Sequence, residues 1–366
     1  MQTYPIATPV STGTAIPVPG SRMLATCEHL VRDQRSVLVE LPDATTTEAA
    51  VCYTDPLIDL ALLRLPSSIV LDLPDAPTAV AQAGEAVASI SHSMGYTSAR
   101  AEGRILTTDY ERGDAAFYQH TAALTGAAYS GGALLDEAGA LLGMTTYLRL
   151  GDDWLSLALP IKEITTAHRL MSEQPTDATG TRCVVCGQAA FSPEMTADRC
   201  PNCQVELLLP NRTPLYEARG MALTLEGILT QLGYPPEAAR RGPNRWVLRE
   251  GSATIQVTYY ERKGMIYGDA TLCRLTSDTD RAGLYAYLLH QNAALKGVAF
   301  AVRNDFVVLS LHISDSYFEV ETGLRLFKYL FEQADHYDDI LVDDFGAAWH
   351  TNERTPVRTD EQAATI

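Results

Sequence analysis

The sequence predicts a multidomain protein in which an all-β region, a small cysteine module and an α+β region follow one another along the chain. Three observations predict this order. Short β-type runs broken by Gly, Pro and Asp extend from Thr12 to Ile164, two Cys-x-x-Cys pairs follow, and helical and strand-like patterns alternate beyond Pro214. The 366 residues also exceed what one hydrophobic core usually organises, so two or three domains are expected.

The β-type runs of the first region predict a barrel or a sandwich. These runs are 36–41, 50–53, 86–91 and 140–147. The polar stretch 173–181 contains Pro and Gly and has no periodicity, which is typical of a linker. We therefore expect a first domain over 1–168 and a linker over 169–181.

The third region predicts an α+β domain with the element order αβββαββα over 215–345. Apolar residues recur at helical spacing in 222–232, 281–295 and 318–334. Strand-like runs occur at 245–248, 253–260, 265–272 and, in two pieces, 298–313. Beyond this region the composition turns polar, so 346–366 is predicted to be a disordered tail.

Composition and charge exclude several classes of protein. Hydrophobic residues make up 46% and charged residues 20% of the chain, with no run of about 18 apolar residues, so we expect a soluble protein without a membrane partner. The net charge of -17 argues against nucleic acid as a partner, because phosphate binding depends on clustered Lys and Arg. The start of the sequence lacks the basic and apolar segments of a secretory signal peptide, so a cytoplasmic location is expected.

Four of the seven cysteines lie in two Cys-x-x-Cys pairs, Cys183 with Cys186 and Cys200 with Cys203. Each pair can turn two thiolates towards one ion, and four thiolates suit tetrahedral zinc. Two disulfides or a redox dithiol are the alternatives; a reducing compartment argues against the first and the doubled motif against the second. The sequence therefore predicts a zinc ribbon over 182–210 that joins the two larger domains. Because protein ligands fill all four positions, the Zn²⁺ ion would be structural.

Three segments of the first region carry a histidine, an aspartate and a serine in that order. His29 lies in the segment LATCEHLV, Asp59 heads the apolar run DLALLRL, and Ser130 begins SGGALL. A histidine can take the proton of a serine hydroxyl, and an aspartate can hold the imidazole in the required tautomer. His92 and His120 lack the sequence setting of His29, so we expect both to be structural.

These segments resemble those of the trypsin-like serine peptidases, particularly the HtrA-type branch, over 11–164. The resemblance implies an all-β double barrel and a polypeptide substrate. It also implies that His29 is the general base, Asp59 its orienting acid and Ser130 the nucleophile. Backbone amides of Ala128 and Ser130 would hold the oxyanion.

The chain departs from the family's pattern immediately before the nucleophile. The family has Gly followed by Asn or Asp, whereas this chain has Ala128 and Tyr129. The residue two before the serine must turn its amide to the oxyanion in a conformation that glycine tolerates best, so Ala128 counts against catalysis. Two interpretations follow: an active serine endopeptidase, or a catalytically impaired pseudoenzyme that acts as a protein-binding adaptor.

The resemblance also implies a set of substrate-binding residues. The base of the family's specificity pocket falls near Leu124, and no acidic residue lies there, so an uncharged substrate side chain is expected. The strand that contains Thr145, Thr146 and Tyr147 would pair with the extended backbone of a substrate.

The third region resembles the YbjN-like family and the type III secretion chaperones. The resemblance rests on the order αβββαββα, an acidic composition and aromatics such as Tyr260, Tyr267 and Phe300, without a diagnostic motif. It implies a regulatory module that binds a client protein, with a homodimer through this domain as one option. Most of the aromatics are expected to be core residues on alternating strand faces.

Overall fold

The computed structural model describes residues 1–43, 45–69, 77–92, 98–124, 129–150, 153–195 and 198–350. The chain divides into two compact units, Met1–Tyr216 and a second unit that begins at Glu217. The first unit contains the β region together with the cysteine module, and the second contains the α+β region. None of the helices in the described ranges has both the length and the apolar character needed to cross a bilayer.

The first six strands form a closed antiparallel barrel. They are β1 (Tyr4–Ala7), β2 (Thr12–Pro17), β3 (Met23–Thr26), β4 (Ser36–Glu40), β5 (Thr46–Asp55) and β6 (Leu60–Arg64), with the one-turn helix α1 (Glu28–Val31) between β3 and β4. The order β5-β4-β1-β2-β3-β6 closes because β5 also pairs with β6. Side chains alternate across the sheet, so Val37 and Val39 of β4 are buried while their neighbours are half-exposed.

The next six strands close into a second antiparallel barrel. They are β7 (Ala86–Ser91), β8 (Ala99–Arg112), β9 (Ala115–His120), β10 (Ala133–Asp136), β11 (Leu141–Leu150) and β12 (Asp153–Pro160), and helix α2 (Ile161–Ser172) follows. Their order around the barrel is β10-β11-β12-β9-β8-β7. Two antiparallel barrels of six strands agree with the predicted double barrel.

One hydrophobic core runs from the first barrel into the second. It contains Leu24 and Leu62 of the first barrel together with Phe117, Met144 and Leu157 of the second. A smaller cluster fills the interior of the second barrel. The shared core packs β3, β6 and β11 against one another. His29 follows β3, Asp59 directly precedes β6, and Ser130 lies in the turn before β10.

The cysteine module is an extension of the first barrel. Strand β13 (Gly180–Arg182) pairs in parallel with β5, and β14 (Ala189–Phe191) pairs antiparallel with β13. The rings of Tyr53 and Phe191 stack with their centroids 6.1 Å apart. The segment 169–181, predicted as a linker, therefore includes the end of α2 and the start of β13. The boundaries between the predicted domains stay predictions.

The second unit is an α+β fold. Its elements are α3 (Met221–Gln231), α4 (Pro236–Ala239), β15 (Arg245–Glu250), β16 (Ala253–Tyr260), β17 (Met265–Arg274), α5 (Arg281–Ala294), β18 (Val298–Arg303), β19 (Phe306–Ser314), α6 (Val320–Asp343) and β20 (Ala348–Trp349). The sheet has the order β15-β16-β17-β19-β18, with β20 added beside β17. This is the predicted order αβββαββα with the short α4 and β20 added. The segment 346–366, predicted as a disordered tail, begins with structure, because β20 pairs with the end of β17; its residues 351–366 lie outside the described residues.

Helix α6 packs directly on the sheet of the second unit. Phe327, Leu330 and Ala334 of this helix are fully buried in the hydrophobic core between α6 and the sheet. Gly268 of β17 permits this packing, because a Cβ at that position would lie only 2.9 Å from a methyl carbon of Leu330. At the other end of the sheet Asn304 and Asp305 both have positive φ, as a two-residue type I′ hairpin between β18 and β19 requires.

Candidate active site and cysteine centre

His29 and Asp59 form a hydrogen-bonded pair. His29 Nδ1 lies 2.9 Å from both carboxylate oxygens of Asp59, and the backbone amide of His29 donates to Asp59 Oδ1 at 3.0 Å. The Thr146 hydroxyl donates to Asp59 Oδ2 at 2.7 Å. Burial of Asp59 opposes ionisation, but the hydrogen bonds and the charge of His29 outweigh it, so the pKa of Asp59 lies below its usual value of 3.8.

The chain reaches Asp59 through a tight turn that leaves β5. The Asp55 carboxylate accepts a hydrogen bond from the Leu57 amide at 3.1 Å, which shapes the start of this turn. Asp59 itself has φ of 56°, a left-handed conformation that is uncommon outside glycine and is tolerated best by Asn and Asp. The turn therefore directs the carboxylate away from the strand register of β6 and towards His29.

The turn that carries Ser130 is fixed by backbone contacts on both sides. The Ser130 carbonyl accepts from the Thr14 amide at 3.0 Å, and the Gly131 amide donates to the Thr145 carbonyl at 2.8 Å. Gly131 has φ of 86°, and a Cβ there would overlap the Thr14 carbonyl oxygen. Glycine is thus required after Ser130 because two backbone segments meet at that point.

The His29–Asp59 pair and the Ser130 turn meet at one point of β11. Cys27 Sγ donates to the Thr145 carbonyl at 3.5 Å, and this is the carbonyl that also accepts from Gly131. The same sulfur lies within 4.8 Å of the ligand atoms of His29 and Asp59. Within the described residues no hydrogen bond joins Ser130 to His29, and Ser130 is only 1% exposed. The catalytic role of the three residues therefore stays a prediction.

Arg112 lies beside this pair and was missed by the sequence reasoning. Its Nη1 is 3.8 Å from Asp59 Oδ2, and its guanidinium lies over the ring of Phe117, 5.6 Å from the centroid. Nη1 is buried and makes no hydrogen bond. Arg112 ends β8, far from Asp59 in sequence, so no local pattern indicated this contact.

The residues predicted to bind substrate are only partly brought together. The Leu124 amide donates to the Tyr147 hydroxyl at 3.2 Å, and burial raises the pKa of Tyr147 to about 12. The backbone amide and carbonyl of Thr145 are occupied by Gly132 and Gly131. The Thr146 hydroxyl donates to the Asp59 carboxylate, so this side chain supports the candidate acid. Substrate binding by this strand stays a prediction.

Two further positions bear on the candidate site. Ala128, the predicted second donor to the oxyanion, lies outside the described residues. His120, a competing imidazole, is 3% exposed, and neither of its ring nitrogens makes a hydrogen bond. Burial lowers the pKa of His120 to about 4. His120 therefore lacks both the carboxylate partner and the solvent exposure that His29 has.

The four cysteines converge on one point. Sγ of Cys183 lies 3.6 Å from that of Cys203, and Sγ of Cys186 lies 3.6 Å from that of Cys200. All four sulfurs lie within 4.8 Å of one another. Tetrahedral zinc with Zn–S bonds of about 2.3 Å places its sulfurs roughly 3.8 Å apart, so this donor set fits a zinc ion.

Two matching turns present the four thiols. In each turn the residue after the second cysteine donates its amide to the carbonyl of the first, Gly187 to Cys183 at 2.9 Å and Gln204 to Cys200 at 3.0 Å. Both donors have positive φ, 71° and 62°. The side chain of Asn202 and the backbone of Gln188 lower the pKa of Cys186 to about 6, whereas burial and the other three sulfurs raise the pKa of Cys203 to about 12. Of these two thiols, Cys186 is therefore the one that ionises first.

Comparison with known proteins agrees with the geometry of the first unit. Residues 12–144 match the family model described as "Trypsin-like peptidase domain". The chain is 29% identical over 145 residues to "Serine protease HTRA2, mitochondrial" of Bos taurus, a match that covers 38% of this chain. It spans 32% of that relative, about one third of its length. Residues 12–144 of the first unit are therefore similar to a trypsin-like peptidase domain, in agreement with the two six-stranded barrels.

Proposed function

We propose that the protein is a serine endopeptidase that uses Ser130, His29 and Asp59. The observation that carries the proposal is the arrangement around Asp59, in which His29 and Thr146 both donate to a buried carboxylate. This arrangement leaves the other ring nitrogen of His29 as the acceptor for a serine proton. His29 is 35% exposed at its side chain, so the imidazole is open to a substrate.

In the proposed reaction Ser130 Oγ attacks the carbonyl carbon of a peptide bond while His29 Nε2 takes the hydroxyl proton. Asp59 stabilises the resulting imidazolium through the Nδ1 hydrogen bond. The backbone amides of Ser130 and Ala128 hold the oxyanion. His29 then returns the proton to the departing amine, and water enters by the same steps to release the acyl group from Ser130.

The cysteine cluster would hold one structural zinc ion. Cys183, Cys186, Cys200 and Cys203 supply four sulfurs and leave no coordination position for a substrate. The ion would stabilise the fold of the segment that follows β13, because a cluster of this size has few apolar side chains of its own. Four reduced thiols also fit the predicted cytoplasmic location.

The second unit would act as a protein-binding regulatory domain, through which the chain would also dimerise. Tyr260, Tyr267 and His312 support this part of the proposal. Their rings contact one another across three neighbouring strands, with centroids 5.1 Å and 4.6 Å apart. Tyr260 is 48% exposed, so the group offers an aromatic surface to an extended polypeptide.

A second candidate function is a catalytically impaired adaptor that keeps the double barrel for protein binding. Two observations favour it: Ala128 and Tyr129 precede the serine, and Ser130 is almost completely buried without a hydrogen bond to His29. Hydrogen bonds of catalytic groups are often long before a substrate binds, so this arrangement of Ser130 and His29 is compatible with either function.

Labelling with a fluorophosphonate probe distinguishes the two functions. An endopeptidase should be labelled once per chain, and Ser130→Ala and His29→Ala should both abolish labelling. Ser36→Ala, which changes a serine on β4, is the matched control and should label like the parent protein. Absence of Ser130-dependent labelling in the folded protein would favour the adaptor and reject the peptidase.

A further inference from the structure

The side chain of Arg182 joins three separate parts of the first unit. Arg182 directly precedes the first cysteine of the cluster. Its Nε donates to the Gly187 carbonyl at 2.9 Å, and its Nη1 donates to Asp55 at 3.2 Å and to Asp114 at 3.1 Å. Nη2 donates to Asp114 as well, so that pair is bidentate.

Each partner of Arg182 belongs to a turn next to the cysteine cluster or next to the His29–Asp59 pair. Gly187 closes the turn that presents Cys183 and Cys186. Asp55 opens the turn that ends at Asp59. Asp114 lies in the β8–β9 turn, two residues after Arg112, whose guanidinium is 3.8 Å from Asp59.

The two turns that Arg182 bridges are in direct contact. Gly113 of the β8–β9 turn has φ of 65°, and a Cβ at this position would overlap the Leu57 carbonyl. The Asp55 side chain is only 4% exposed, whereas that of Asp114 is 45% exposed. Loss of the guanidinium would leave the Asp55 carboxylate buried without its cation, which strongly destabilises the local structure.

Neighbouring contacts hold Arg182 itself in place. Strand β13 pairs with β5 at Tyr53 and Thr54, and the hydroxyls of Thr54 and Thr181 are hydrogen-bonded at 2.9 Å. Arg182 is thus anchored on one side by the barrel and on the other by the first cysteine turn. A movement of that turn would be transmitted to Asp55 and Asp114 through one rigid guanidinium.

We propose that Arg182 is a positioning residue for the His29–Asp59 pair, and that metal binding by the cysteine cluster is thereby linked to the geometry of this pair. The catalytic meaning of the link rests on the proposed endopeptidase function. Linkage is reciprocal, so an ordered Asp59 turn also strengthens metal binding. The cysteine cluster then regulates the candidate active site in addition to stabilising its own fold.

Hydrogen exchange at the backbone amide of His29 tests the proposal, because this amide donates to Asp59 Oδ1. The measurement uses the full chain with Ser130→Ala, loaded with one Zn²⁺ or stripped by a chelator. Arg182→Gln should lower the protection of this amide about tenfold, as should metal removal, while protection in the second unit stays unchanged. Arg182→Lys keeps the positive charge but cannot make the bidentate pair with Asp114, so it should give an intermediate protection of the His29 amide.

Arg199→Gln is the matched control. Arg199 lies in the same module, and its Nη1 donates to the Gln204 carbonyl within the second cysteine turn. This variant should leave the His29 amide protected. Equal loss of protection in both arginine variants, or unchanged protection in Arg182→Gln, would overturn the proposal. Retained protection after metal removal would overturn the link to the metal.

A second measurement remains informative if Arg182→Gln fails to fold. Asp114→Asn removes the half-exposed partner of Arg182 and should lower the affinity of the cluster for Cd²⁺ several-fold, read from the thiolate absorption band. Unchanged Cd²⁺ affinity in a folded Asp114→Asn protein would contradict the proposal. Neither readout requires peptidase activity, so a negative fluorophosphonate result would reject the proposed function without deciding this test.

Discussion

The hydroxyl of Thr146 and the backbone amide of His29 hold opposite oxygens of one carboxylate, that of Asp59. Thr146 donates to Oδ2 and the His29 amide to Oδ1, while the imidazole Nδ1 lies at 2.9 Å from each. The two outer donors fix the rotation of the carboxylate about its own axis. The imidazole is therefore oriented by a carboxylate whose own rotation is set by these two donors.

Removal of the Thr146 hydroxyl should slow the proposed reaction. A hydrogen bond to a charged group contributes about 1.5–3 kcal/mol, so Thr146→Val is expected to lower kcat/KM roughly tenfold to a hundredfold. Thr146→Ser keeps the donor and should lose much less. Steady-state cleavage of one peptide by the three proteins provides the measurement, and equal kcat/KM values would show that Asp59 needs no second donor.

His120 should make the first unit less stable in acid. Burial lowers its pKa from 6.5 to about 4 and outweighs the opposing influence of the Leu157 backbone. Between these values the unfolded chain binds a proton that the folded chain does not, so stability is complete above pH 6.5 and falls as the pH drops towards 4. The loss should approach about 3 kcal/mol.

Urea unfolding at several pH values measures this loss. His120→Leu should flatten the decline in free energy of unfolding between pH 6.5 and 4, whatever its effect at neutral pH. His290→Leu, which changes an exposed histidine of α5, is the control and should keep the parent slope. A slope unaffected by His120→Leu would mean that His120 is protonated in the folded state.

The cysteine cluster should bind one zinc ion per chain. Elemental analysis of the purified protein should find one tightly held Zn²⁺, and the double variant Cys183→Ser/Cys200→Ser should hold none because both buried ligands are lost. Chelation should also lower the melting temperature, since metal binding contributes to folding. Cys273→Ala, a buried thiol of the second unit, should retain the metal.

Ala128→Gly should increase the activity of the proposed endopeptidase. Glycine restores the conformational freedom that the family pattern has two residues before the nucleophile, so the amide can turn towards the oxyanion. An oxyanion donor is worth about a hundredfold to a thousandfold in rate, and a partial recovery of about tenfold is expected. Steady-state cleavage of a peptide by the parent and variant measures it, and an unchanged or lower rate would show that Ala128 is not the limiting defect.

The two barrels and the His29–Asp59 pair could be predicted because local signals specify them. Alternating apolar runs indicated the strands, and the segments around His29 and Asp59 resemble a family in which these residues meet. In the second unit, the helical and strand-like periods predicted the order of elements because each long element buries one face in the hydrophobic core of that unit.

The placement of the cysteine module could not be predicted in the same way. Strand β13 has three residues and follows a polar stretch, too short for any periodic signal. Arg182 contacts Asp55 and Asp114, which are 127 and 68 residues away, and charged residues reveal no partner in their own sequence neighbourhood. The contact between Arg112 and Asp59 could not be predicted for the same reason, since only the packing of β8 against the first barrel brings the two residues together.

The parallel pairing of β13 with β5 also has a consequence for the solubility of the protein. Strand β4 pairs with β5 only as far as Ala50, and β13 takes over at Tyr53 and Thr54. Without the cysteine module this stretch would present an uncapped ladder of peptide groups, the kind of edge on which other chains nucleate aggregates. A shortened version that ends at α2 would therefore be expected to precipitate or self-associate even though both barrels are complete.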